Sequence, residues 1–188
     1  MRTGILGGTF DPPHVAHLLA GESAYRQLGL DRVLFIPAGS PWQKSLRRVS
    51  EPVHRWEMTR LAVDGVGYFV ADDREVMREG WTYTVDTLAT FPEDEELVLI
   101  LGSDAAAGIG SWERVGEVTA RAALAVAMRP GAPSLPEEVA ADAIILDMPR
   151  LEISGTMIRA RATAGVSIRF LVPDSVWEYV AGQGLYGR

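Results

Sequence analysis

The 188-residue chain is predicted to be an α/β protein built on a parallel sheet with helices on both faces. Three observations carry that prediction. Short apolar runs of β type alternate with helical patterns along the chain. One run, Leu97 to Leu101, is apolar throughout, as a strand covered on both faces must be. Polar motifs directly follow several of the strands, where open parallel sheets bind their ligands.

The elements follow in order. The first strand runs from Thr3 to Leu6 and leads into a turn of glycine, proline and histidine. An amphipathic stretch from Leu18 ends its helix at Leu28, where Gly29 can adopt the left-handed conformation that stops a helix. Val33 to Ile36 is a second buried strand, closed by Pro37, and Ala38 to Pro52 is a loop long for this architecture, of a kind that is often functional or mobile. Pro52 to Val63 is a helix with Met58, Leu61 and Ala62 inward, followed by a short strand Tyr68 to Val70 and a short helix Thr84 to Phe91. Leu97 to Leu101 is the central strand, and a helix or irregular segment then reaches Trp112. Leu124 to Met128 is a strand closed by Arg129-Pro130-Gly131, a Pro- and acid-rich loop follows, and Ala143 to Leu146 is the last strand. Ile153 to Ala162 and Pro173 to Ala181 are closing helices, so residues 151–188 form a small C-terminal helical part of a single domain spanning 1–188. No internal repeat, low-complexity tract or linker marks a second domain.

Composition removes several function classes. A net charge of -7 provides no basic field to hold DNA or RNA, so a nucleic-acid partner is not expected. Phosphates, if bound, must be held by local groups. The absence of cysteine excludes disulfides, thiolate zinc sites and cysteine nucleophiles together. No charged-then-apolar leader opens the chain and no apolar run approaches roughly 18 residues, so the expectation is a cytoplasmic protein without a membrane partner.

The densest chemistry lies in Gly7-Gly8-Thr9-Phe10-Asp11-Pro12-Pro13-His14-Val15-Ala16-His17. Glycines let backbone amides approach a ligand, and prolines favour the first positions of the following helix. Two of the chain's three histidines fall here, three residues apart and therefore on one face of a helix. Amides, a helix dipole and two imidazoles converging on one spot make an anion site. The turn is neither a Walker A loop nor the Gly-x-Gly-x-x-Gly fingerprint. A metal pair is weakly suggested by the spacing, but no third ligand is nearby, so no protein metal site is expected.

Other motifs read two ways. Lys44, the single lysine among 18 basic residues, sits in the run Pro37 to Lys44 after the second strand; it is either a retained functional cation or a chance survivor of an arginine bias. Ile153-Ser154-Gly155-Thr156-Met157-Ile158-Arg159 starts a helix, with Ser154 or Thr156 as a cap or as a polyphosphate ligand, and Arg159 one turn further in. Asp104, after Gly102-Ser103, reads as a helix cap or as an acceptor for ribose hydroxyls. Trp112 reads as core or as a plate for a flat ring, and the run Trp81 to Thr87 as a hydroxyl-rich helix start. No Ser/His/Asp order or close carboxylate pair points to covalent hydrolysis or glycosidase chemistry.

With these motifs together, the chain resembles the nucleotidyltransferases that carry a Gly-x-Phe-Asp-Pro-x-His-x-Gly-His motif, and within them the bacterial nicotinate-nucleotide adenylyltransferases. The resemblance rests on Gly7 to His14 with His17, Pro37 to Lys44, Thr84 to Leu88, Gly102 to Asp104, Trp112, Arg129-Pro130-Gly131, the segment Ile153 to Arg159 and the closing Pro173 to Tyr186. Two positions depart from the family pattern: Ala16 replaces a glycine and Gly155 a serine. The resemblance implies a Rossmann-like doubly wound sheet and adenylyl transfer from ATP to nicotinate mononucleotide in NAD biosynthesis, with NAD or deamido-NAD as bound product. It implies that His14, His17, Lys44 and Arg159 are catalytic. ATP would be bound by Gly7, Gly8, Thr9, Phe10, His14, His17, Gly102, Asp104, Ser154, Thr156 and Arg159, and the mononucleotide by Lys44, Thr84 and Trp112. Mg2+ would arrive with ATP, and a homo-oligomer is compatible. The alternatives are an adenylyltransferase for nicotinamide mononucleotide or phosphopantetheine, and a non-catalytic nucleotide sensor on the same fold.

Overall fold

The computed structural model describes residues 1–40, 49–131 and 133–187. Strands β1 (Arg2–Gly8), β2 (Arg32–Pro37), β3 (Phe69–Ala71), β4 (Glu96–Gly102), β5 (Ala122–Ala127) and β6 (Ile144–Ile145) form a 6-stranded sheet in the order β3-β2-β1-β4-β5-β6. Every pairing is parallel, with Ile5 opposite Leu34 on one side and Leu99 on the other. The chain winds outward from β1 to β3, then returns to place β4 on the free side of β1. The winding reverses between β1 and β4, and that is where an open sheet of this order forms its crevice.

Helices are α1 (Val15–Leu28), α2 (Pro52–Val63), α3 (Thr84–Leu88), α4 (Ser103–Ala107), α5 (Val115–Arg121), α6 (Glu137–Asp142), α7 (Gly155–Thr163) and α8 (Asp174–Gly182), with a 3-10 turn at Ile109–Ser111. Successive strand residues go to opposite faces, as a pleated strand requires. Ile5, Leu34, Leu99 and Leu101 join Val85, Leu88 and Val118 on one face. Leu6, Phe35, Val98 and Ile100 join Ala20, Ala24 and Val63 on the other. A third cluster packs Met58 and Ala62 of α2 against Ile158, Val176 and Val180, which docks α7 and α8 onto the side of the sheet domain. No helix of the described residues is long and apolar enough to cross a membrane.

The doubly wound parallel sheet is as expected from the sequence. Gly29 ends α1 at φ 59°, the left-handed turn its lack of Cβ permits. Several boundaries differ. The helix expected to reach Phe91 stops at Leu88, and the chain continues in single tight turns (Thr90 N–H to Thr87 O, Phe91 N–H to Leu88 O), since Pro92 disfavours a helical Phe91. α6 lies in the stretch expected to be a loop, and α5 also went unforeseen. Each buries one valine, Val139 and Val118, among its described side chains, and one apolar residue makes no period to read. β6 covers two residues of the expected four, and both isoleucines are exposed at the sheet edge.

Candidate active site

The crevice between the carboxyl ends of β1 and β4 is a cleft of about 610 Å3. Gly7, Gly8, Thr9, Phe10, His14 and His17 line it from the first turn, and Gly102, Asp104, Thr84 and Trp112 from beyond β4 and α3. Ser154, Thr156 and Arg159 line it from α7. Thirteen positions scattered over the chain thus meet in one place. Lys44 lies outside the described residues, as do Pro41 to Gln43 of its motif.

The two glycines of the turn act differently. A Cβ on Gly8 would sit 3.0 Å from the Phe10 ring, whereas one on Gly7 would meet nothing within 4 Å and would project into open space. Gly8 therefore makes room for Phe10 to fold back. Phe10 takes a left-handed φ of 48°, costly for a residue with a Cβ. Its buried ring meets His17 edge to face, with centroids 5.0 Å apart.

His14 is the N-cap of α1, and its ring stacks on that of His17 with centroids 3.6 Å apart. The His14 backbone N–H donates to His17 Nδ1 at 3.2 Å. With Nδ1 accepting, a neutral His17 carries its proton on Nε2. Burial, reinforced by the charge of Arg129, lowers the pKa of His14 from 6.5 to about 4, so this imidazole is neutral at pH 7. Its Nδ1 is buried without a hydrogen-bond partner among the described residues. The third histidine, His54, is elsewhere, with Nδ1 2.9 Å from the Tyr179 hydroxyl.

Two buried polar residues hold the turn. Asp11 Oδ1 accepts from the Tyr186 hydroxyl at 2.6 Å, Oδ2 accepts from the Ser50 N–H at 3.2 Å, and the Asp11 carbonyl accepts from Arg159 Nη1 at 2.6 Å. Arg55, only 1% exposed, donates to the carbonyls of Thr9, Ala38, Gly39 and Ser50. Its guanidinium thereby ties the loops after β1 and β2 together. Gly39 is required there, because a Cβ would stand 2.1 Å from the Glu75 carbonyl.

On the β4 side, Gly102 rather than Asp104 caps α4. Asp104 Oδ2 instead accepts from Arg129 Nη1 at 2.6 Å. On the α7 side, Ser154 is the N-cap, its Oγ accepting from the Met157 N–H at 3.2 Å. The hydroxyl hydrogen of Ser154 remains available to a ligand. Thr156 Oγ1 accepts from Arg159 Nη2 at 3.3 Å. A Cβ on Gly155 would be 3.0 Å from the Asp11 carbonyl and 3.1 Å from Arg159 Nη1, so glycine lets that guanidinium settle on the carbonyl. Trp112 packs against the core, as one of its two sequence readings has it, and also lines the cleft.

Sequence reasoning passed over Arg55, Glu75 and the roles of Arg129 and Tyr186. Glu75 lines the cleft and accepts from Thr87 Oγ1 at 2.6 Å, and burial pushes its carboxyl above the usual range. The one available signal was a charged residue, Arg55, on the apolar side of α2, and its helix has no clean stripe to make that visible.

A model of a family described as cytidylyltransferase-like matches residues 5–161. The chain is 42% identical to a probable nicotinate-nucleotide adenylyltransferase of Desulfitobacterium hafniense (strain Y51), over 98% of this chain and 95% of that one. It is also 42% identical to one from Arthrobacter sp. (strain FB24), over 96% and 89%. Among solved structures it is similar to the Plasmodium falciparum nicotinic acid mononucleotide adenylyltransferase complexed with NaAD, with a TM-score of 0.83, 19% identity and coverage of 98% and 97%; at that identity the likeness speaks for the fold alone. The sheet order, the cleft and these full-length similarities agree: the chain belongs to the cytidylyltransferase-like family and, within it, to the nicotinate-nucleotide adenylyltransferases.

Proposed function

We propose that this protein transfers the adenylyl group of ATP to nicotinate mononucleotide, giving deamido-NAD and pyrophosphate. The observation that carries this reading is the gathering of the two histidines, the α7 hydroxyls with Arg159, Asp104, Thr84 and Trp112 around one cleft, in a chain whose full-length relatives bear that enzyme's name. A phosphate oxygen of the mononucleotide attacks the α-phosphorus, and the bond from that phosphorus to the β-phosphate oxygen breaks. The attacking phosphate is ionised at neutral pH, so no general base is required. The barrier lies in bringing two anions together and in stabilising the charge that builds on the transferred group.

In this reading His17, with its proton on Nε2, donates to the α-phosphate, and neutral His14 donates to the neighbouring phosphate oxygens. Amides of Gly8, Thr9 and Phe10 cradle the triphosphate, with Gly7 and Gly102 leaving the floor open. Ser154, Thr156 and Arg159 hold the β,γ end and stabilise the departing pyrophosphate. Asp104, oriented by Arg129, accepts from a ribose hydroxyl. Thr84 and Trp112 receive the nicotinate ring, and Lys44 reaches a substrate phosphate. Mg2+ would enter as part of the ATP substrate. The reading implies a cytoplasmic enzyme without a nucleic-acid partner, and it is compatible with a homo-oligomer.

The test is pyrophosphate release with ATP and Mg2+, comparing nicotinate mononucleotide, its amide and phosphopantetheine at matched concentrations. The acid should be preferred by roughly tenfold or more in kcat/KM, the scale of one polar contact. Equal rates with acid and amide would make the enzyme dual-specific, preference for phosphopantetheine would overturn the substrate, and ATP binding without turnover would overturn catalysis.

A further inference from the structure

We infer that Tyr186 is a positioning residue for Arg159: its hydroxyl occupies the buried Asp11 carboxylate, which keeps the Arg159 guanidinium from collapsing onto that carboxylate and leaves it free to hold the pyrophosphate end of ATP. The inference rests on the placement of Arg159 proposed above.

Asp11 is 4% exposed, so its carboxylate oxygens draw their hydrogen-bond partners from the protein. Tyr186 and the Ser50 N–H satisfy one oxygen each, at 2.6 and 3.2 Å. Arg159, next to them, does not pair with the carboxylate at contact distance. Its Nη1 is 2.6 Å from the neutral Asp11 carbonyl but 4.0 Å from Oδ2. A bidentate arginine–carboxylate pair needs both oxygens, and each already carries a donor, the Tyr186 hydroxyl on Oδ1 and the Ser50 N–H on Oδ2. Removing the Tyr186 hydroxyl takes the donor from Oδ1, while the Arg159 guanidinium stands 4.0 Å from Oδ2 of the same carboxylate. Once paired there, the cation is neutralised and turned from the cleft.

Tyr186 suits the role. Burial and the neighbouring Asp11 charge push its phenol far above the ordinary range, so it remains a donor at any working pH. Its other polar neighbours include the Ser50 side chain and the Met58 sulfur, the latter a weak acceptor at 3.8 Å, and the 2.6 Å contact assigns the hydroxyl hydrogen to Asp11. Tyr186 sits 175 residues from Asp11 and reaches it from the segment after α8, in a left-handed conformation at φ 62°.

The experiment measures inorganic pyrophosphate binding by calorimetry for the wild type, Tyr186→Phe, Arg159→Ala and the double variant, with thermal melts alongside. Tyr186→Phe should weaken binding about tenfold, the scale of losing one charge-assisted contact, and Arg159→Ala at least as much. In the Arg159→Ala background, Tyr186→Phe should cost less than twofold, a result that a merely structural role would not produce. Wild-type affinity in Tyr186→Phe alone, or a further tenfold loss in the double variant, overturns the inference while leaving the function intact. Wild-type affinity in Arg159→Ala overturns the placement of Arg159 itself, and with it this inference. Should Tyr186→Phe fail to fold, it is repeated in an Asp11→Asn background, where the capturing charge is gone: a cost below about twofold relative to Asp11→Asn alone supports the inference, and a further tenfold loss refutes it.

Discussion

Replacing His14 with asparagine should flatten the acid side of the stability profile. In the folded chain the His14 pKa is about 4, against 6.5 for the ordinary residue. Above pH 6.5 the imidazole is neutral in both states and its ionisation contributes nothing to the pH dependence. As the pH falls below 6.5 the unfolded chain takes up the proton first, and stability declines at about 1.36 kcal/mol per pH unit until the folded state also protonates near pH 4. The loss is therefore about 2 kcal/mol at pH 5, and about 3 kcal/mol once the full interval from 6.5 to 4 is crossed. Asparagine does not titrate and is a favourable N-cap, so it preserves the start of α1. Urea unfolding of both proteins at half-unit steps from pH 7.5 to 4 would measure the difference, and the variant cancels the carboxylates that also protonate in that range. Parallel profiles, differing by less than about 0.5 kcal/mol in slope over the window, would refute a His14 held neutral by burial.

Three further perturbations test the site. His17→Ala should lower kcat by ~10²-fold or more with little change in melting temperature, the scale of removing a transition-state donor; wild-type turnover would show that its Nε2 proton plays no part. Trp112→Ala should raise KM for the mononucleotide more than for ATP, and equal effects would make its contribution packing alone. Arg55→Lys retains the charge but leaves a single nitrogen for four carbonyls, so about 3 kcal/mol of stability should be lost, read as a drop in the urea midpoint. A midpoint unchanged by that substitution would mean the guanidinium bonds do not hold the two loops.

The features legible in the sequence are those written in neighbouring residues. The runs Val33 to Ile36 and Leu97 to Leu101 became β2 and β4, because continuous burial on both faces needs continuous apolarity. Gly29 and the Gly7 to His17 turn are likewise local, since a left-handed φ or a missing side chain belongs to one position. Where the signal was a single buried residue, as in α5 and α6, no period existed to be read.

By itself, then, the sequence determined an alternating α/β chain, an anion-binding turn after its first strand and a set of polar motifs placed after strands. Only the tertiary structure decided that β4 returns beside β1, and so that the turn of His14 and His17 shares one cleft with Asp104, Trp112 and Arg159. It alone decided that Asp104 pairs with Arg129, that Arg55 fastens two loops and that Tyr186 reaches Asp11. The physical reason is the same in each case. Hydrophobic periodicity records how far each residue is buried, whereas a buried polar group is defined by its partner, and that partner is supplied by chain winding across tens to hundreds of residues.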